Sequence, residues 1–174
     1  MDDQDISTPS HYLERDHRRL EHVFSYACDI GAGVVDMDLY NEFRSGLLRH
    51  VGIEEKIVLP LLRKHLPGGF PMEAQLRLDH GALAALLVPP PEHEVVTVIR
   101  NLLTRHNALE EAHGTLYDLL DSCAELDEGN IFEQIKRYPA VPLSRYINNP
   151  GAIEPARRAV ARAGYAWEDL LRST

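Results

Sequence analysis

From Thr8 to Leu126 apolar side chains recur at helical spacing, and no alternating run of useful length interrupts them. A segment with this pattern buries its apolar stripes by packing helix on helix, because a sheet needs the alternation it lacks. Breakers divide it into four. Thr8-Pro9 is a capping residue followed by a first-turn proline and starts helix A; Gly31 and Gly33 end it. Asp36 caps helix B, which runs to about Leu66, with a kink expected at Pro60 because proline has no amide hydrogen to give. Pro67-Gly68-Gly69 separates B from helix C, which starts near Pro71 and stops at Pro89-Pro90-Pro91. Helix D runs from about Glu92 to about Leu126. Four such segments on short connections predict an all-α fold, an antiparallel up-down-up-down four-helix bundle over residues 1–129.

After Gly129, prolines at 139, 142, 150 and 155 break the pattern. A short helix is expected from Ile131 to Arg137 and a second from about Pro150 to Leu171. Residues 130–174 read as a C-terminal helical appendage packed on the bundle, not an independent domain, with Tyr146, Tyr165 and Trp167 as anchors. Cys28 and Cys123 fall at opposite ends of the bundle and are expected to remain thiols.

Each long segment carries one histidine on its apolar face: His17, His50, His80 and His106. Two are followed four residues later by a glutamate, in His50-Val51-Gly52-Ile53-Glu54 and His106-Asn107-Ala108-Leu109-Glu110. That spacing puts imidazole and carboxylate on one face, a turn apart, so both can reach one metal ion without backbone strain. Counting from the A–B turn places His17 and His50 side by side. Counting from the B–C turn places Glu54 and His80 within about one helical turn, roughly 5 Å. A glutamate on an inner face is costly unless paired or metal-bound. Six such donors at one depth, without thiolates, suit iron, manganese or zinc in a mixed imidazole–carboxylate site.

This arrangement resembles the hemerythrin-like family, the bacterial His-His-Glu cation-binding proteins, over roughly residues 10–126. Local context agrees: Asp16-His17 on A, His50 and Glu54-Glu55 followed by Leu59-Pro60 on B, Asp79-His80 on C, and His106 with Glu110-Glu111 on D. The resemblance implies two iron ions bridged by an oxo or hydroxo group and by Glu54 and Glu110, with the four histidines at terminal positions; zinc and manganese are possible substitutes. It departs from oxygen-carrying hemerythrins in having no second histidine on helix C, since Leu76 and Ala84 occupy the positions four away from His80. Glu111 stands at the spacing those carriers use, while Glu110 lies nearer the His106 face and is the carboxylate favoured here. His113 and Glu21 are candidates for the vacancy, with Tyr117 further along helix D. His11, His22, His65 and His93 are assigned to the surface.

The function expected from this resemblance is binding of, or reaction with, oxygen, peroxide or nitric oxide. Iron storage or delivery, or metal-dependent sensing, without turnover is the alternative, with a homodimer or protein partner engaging residues 130–174. A ferritin-like carboxylate site is also considered, on the pairs Glu14/His17 and Glu110/His113, as is a metal-free helical interaction module. A net charge of −9, from 27 acidic and 18 basic residues, opposes nucleic-acid binding. Arg157, Arg158 and Arg162 read as a solvated helix face. Met1-Asp2-Asp3-Gln4-Asp5 lacks the apolar core of a signal peptide, and no apolar run reaches membrane-spanning length. The chain is expected to be cytoplasmic.

Overall fold

A computed structural model describes residues 8–28, 34–149 and 151–172. The expected helix stop at Gly31 and Gly33, the amino-terminal residues 1–7 and the helix start at Pro150 lie outside the described residues. Among those described, the chain is helical with no strand. None of the helices is long and apolar enough to cross a membrane.

Helix α1 (Pro9–Ala27) begins where Thr8 accepts a hydrogen bond from the His11 amide, with Pro9 in its first turn. Helix α2 (Met37–Ile53) is capped by Asp36, whose carboxylate accepts from the amides of Asp38 and Leu39 at 3.0 and 3.1 Å. Where a kink is expected from Pro60, a π-turn, Glu54–Val58, runs into α3 (Leu59–His65). The Leu59 amide donates to the Glu54 carbonyl, five residues back. Widening the helix by one residue accommodates the proline ring without ending it.

Helix α4 (Glu73–Leu86) stops before the proline run, and α5 (His93–Glu111) follows it. Helix D is not continuous to Leu126. It breaks over 112–115 and resumes as α6 (Leu116–Glu125). Gly114 takes a left-handed φ of 79°, and the Thr115 hydroxyl donates to the carbonyls of Glu110 and Ala112, acceptors that further helical turns would otherwise use. In the tail, α7 (Ile131–Lys136) lies where a short helix is expected. The single helix expected up to Leu171 is two, α8 (Ile153–Arg162) and α9 (Trp167–Arg172), divided at Gly164 with φ 89°.

Packing follows the apolar stripes. Helix α1 lies on α2 and α6, α4 on α5 and α8, and α5 on α9. Two apolar clusters result. One gathers Leu20, Phe24, Phe43, Leu47, Leu83 and Leu102, together with Val160, Trp167 and Leu170 of the tail. The other gathers Leu13, Ile53, Leu59, Leu76, Leu116 and Leu120, with Ile131 and Ile135 of α7. His17, His50 and His80 each fall between a residue of one cluster and a residue of the other on their own helices, as His17 does between Leu13 and Leu20, and His106 falls between Leu102 of the first cluster and Leu109, which packs against the second. The histidines therefore form a polar layer between two oily ones.

Gly52, between His50 and Glu54, lets the Tyr138 ring approach α2: a β-carbon there would stand 2.8 Å from the phenol oxygen. Gly52→Leu is expected to destabilise the fold by about 1–3 kcal/mol through overpacking, read as a lowered midpoint in urea with unchanged slope. An unchanged midpoint would mean that the tail swings aside freely.

Candidate metal centre

The structure brings all six sequence-derived donors together. His17, His50, Glu54, His80, His106 and Glu110 are buried, none more than 3% exposed. Their ligand-type atoms form two groups, His17–His50–Glu54–Glu110 and Glu54–His80–His106–Glu110, each able to hold a metal ion. Counting from the C–D connection sets His80 nearer to it than His106, yet the two rings lie 4.9 Å apart, and the His17 and His50 rings 4.5 Å.

Both carboxylates belong to both groups. Glu54 places Oε1 3.1 Å from His50 Nε2 and Oε2 3.2 Å from His80 Nε2. Glu110 places Oε2 3.3 Å from His17 Nε2 and Oε1 3.2 Å from His106 Nε2. Each glutamate thus turns one oxygen to each histidine pair. Glu54 Oε2, both Glu110 oxygens and His80 Nε2 are buried without a hydrogen-bond partner. Buried polar atoms are normally satisfied, and a carboxylate left bare in a low-dielectric interior is costly. A cation between these atoms removes that cost, so the donor set fits a metal centre on its own chemistry.

An outer set of acids orients the histidines. His17 Nδ1 lies 2.7 Å from Glu111 Oε1, His50 Nδ1 3.0 Å from Asp16 Oδ2, and His80 Nδ1 2.8 Å from Glu55 Oε1. His106 Nδ1 faces Asp79 Oδ2 at 3.5 Å, beyond hydrogen-bond length. The pattern is circular: α1 supplies the acid for the α2 histidine, the π-turn for α4, α4 for α5, and α5 for α1. At His17, His50 and His80, where the hydrogen bond forms, such partners fix which ring nitrogen carries the proton and leave Nε2 free for a metal. In the sequence Asp16, Glu55 and Asp79 appear only as neighbours of the donors, and Glu111 as the alternative to Glu110. The missed signal is that each is adjacent to an inner donor on its own helix yet serves the next helix. Asp16→Ala is expected to weaken metal affinity about 10- to 100-fold, measured by competition with a chelator. An unchanged affinity would deny the aspartate any orienting role.

Electrostatics of the metal-free site follow from crowding. Burial opposes charge on His50, but Glu54 and Asp16 outweigh it and push its pKa up to about 10. Burial likewise opposes charge on His17 and His80, yet their glutamate partners raise both. Glu54 resists ionisation through burial but is drawn well below the usual carboxylate range by His50 and His80. Burial, with Glu54 and Glu110 nearby, raises the Tyr117 phenol well above its ordinary value.

Tyr117, beyond the break in helix D, is 2% exposed. Its hydroxyl donates to Glu54 Oε1 at 3.1 Å and lies 3.0 Å from His17 Nε2. His113 is not at the site: it is fully exposed and pairs with Asp118, because the Gly114 turn carries it out of the helix. Glu21 is half exposed and accepts from the Asn107 amide at 3.1 Å, at the rim of the site. Glu111 serves His17 from outside, as described. His11, His22 and His93 are exposed, and His65 is part-buried against Asp127. A gap of about 10 Å³ adjoins His17, His50, His106 and Asn107. Compared with models of known families, with curated proteins and with solved structures, the chain matches none.

Proposed function

We propose that the chain is a hemerythrin-like protein whose long helices, α1, α2–α3, α4 and α5–α6, run up, down, up and down around two iron ions. His17 and His50 would hold one ion and His80 and His106 the other, with Glu54 and Glu110 shared. The observation that carries this reading is the pair of glutamates, each presenting one oxygen to each histidine pair. Chance burial of acids gives no reason for that division. Iron there supplies an electron source and a Lewis acid; manganese or zinc fits the same donor types. The gap beside the histidines has room for about one water-sized molecule, which favours a small ligand over an organic substrate.

The exposure of His113 argues against a ferritin-like site, since Glu110 and His113 do not share an interior position. A second reading, metal-dependent sensing, is favoured by one contact. The Tyr165 hydroxyl of the tail donates to Asp79 Oδ2 at 3.3 Å, and Gln75 donates to both Asp79 and the Ala163 carbonyl. Asp79 in turn faces His106, so the tail stands two side chains from the centre.

Metal analysis of protein purified without an affinity tag tests the first claim, with two iron ions per chain expected. Anaerobic reduction followed by oxygen, peroxide or nitric oxide tests the second, with a changed visible spectrum expected from at least one. Silence with all three would remove the oxidant role and leave sensing or storage.

A further inference from the structure

The His17–His50 position has a neighbour that the pattern of histidines and glutamates does not call for. The Tyr117 oxygen lies 3.0 Å from His17 Nε2, 3.4 Å from His50 Nε2 and 3.1 Å from Glu54 Oε1. Donors about 2.1 Å from a six-coordinate ion stand about 3 Å from one another when they are cis. The spacings between His50 and Glu54, 3.1 Å, and between His17 and Glu110, 3.3 Å, fall in the same range. The phenol oxygen therefore stands to these atoms as they stand to one another. A hydroxyl merely filling space has no reason to approach three donors of one group.

We propose that Tyr117 is a further protein ligand of the ion held by His17 and His50. The inference rests on the two-metal reading above and adds an asymmetry to it. The first position then has five protein donors, His17, His50, Glu54, Glu110 and Tyr117, and the second has four. On coordination the oxygen–hydrogen bond breaks, the proton passes to solvent, and the oxygen lone pair binds the metal. The iron keeps its oxidation state in that step.

The test uses the full chain loaded anaerobically with iron(II) and then oxidised in air, with iron counted per chain. Visible absorption and resonance Raman spectra are recorded for the wild type, for wild type grown with ring-deuterated tyrosine, and for Tyr117→Phe. The expected result is a visible band carrying tyrosine-ring modes that shift on deuteration. Tyr117→Phe should lose the band while retaining about two irons. Two irons without tyrosine modes would overturn this inference and leave the metal centre standing, as would a band that survives in the variant. A wild-type chain that takes up no iron would overturn both. The deuterated wild type gives an answer even if the variant does not fold.

Discussion

Glu54→Ala is expected to empty both metal positions together. Its two oxygens face different histidine pairs, Oε1 towards His50 and Oε2 towards His80, so a single truncation removes a donor from each group. Loss of an outer acid partner typically weakens a metal site about 10- to 100-fold. Loss of a carboxylate shared by two ions should exceed about 100-fold at each, and metal content after gel filtration should fall below one ion per chain. Glu55→Ala is the matched control, because Glu55 touches the centre only through His80 Nδ1; it should fall within the outer-partner range. Atomic analysis after equal loading, with circular dichroism to confirm the fold, separates the two. Retention of two ions by Glu54→Ala would refute the shared carboxylate.

Removing metal from the wild-type chain should have the largest effect on stability. The metal-free interior leaves both oxygens of Glu110 and one of Glu54 without partners, while binding to the folded state alone stabilises by mass action. Free metal at a thousand times its dissociation constant contributes about 4 kcal/mol per site. At about 2–4 °C per kcal/mol for a chain of this size, a chelator should lower the melting temperature by about 8–16 °C even if only one site is filled. A melting temperature indifferent to chelator and to added iron would mean that the six donors are satisfied without a cation.

The sequence carried the inner donors because helical spacing is local: four residues separate His50 from Glu54 and His106 from Glu110, and a shared helix face follows. It carried the helix starts at Thr8 and Asp36 for the same reason. It did not carry the division of helix D, where a glycine with left-handed φ and a threonine hydroxyl redirect the chain within four residues. Reading through that break kept His113 among the candidates and set Tyr117 merely further along the same helix. The outer acids were hidden differently. Asp16, Glu55 and Glu111 each serve a histidine on another helix and Asp79 faces one, and such relations depend on rotation and depth that no single segment states. The break at Gly164 has the same character as that at Gly114: a glycine that reads as tolerable inside a helix ends one.

The circular arrangement of acids has a consequence for assembly. On every long segment the acid that faces a neighbour's imidazole sits directly beside a residue that faces the interior. Sliding any one rod by a single position would spoil contacts on both of its flanks, and no compensating slide elsewhere restores them short of moving all four. The circuit thus works as a combination lock on register, selecting one alignment of oily stripes that by themselves would accept several.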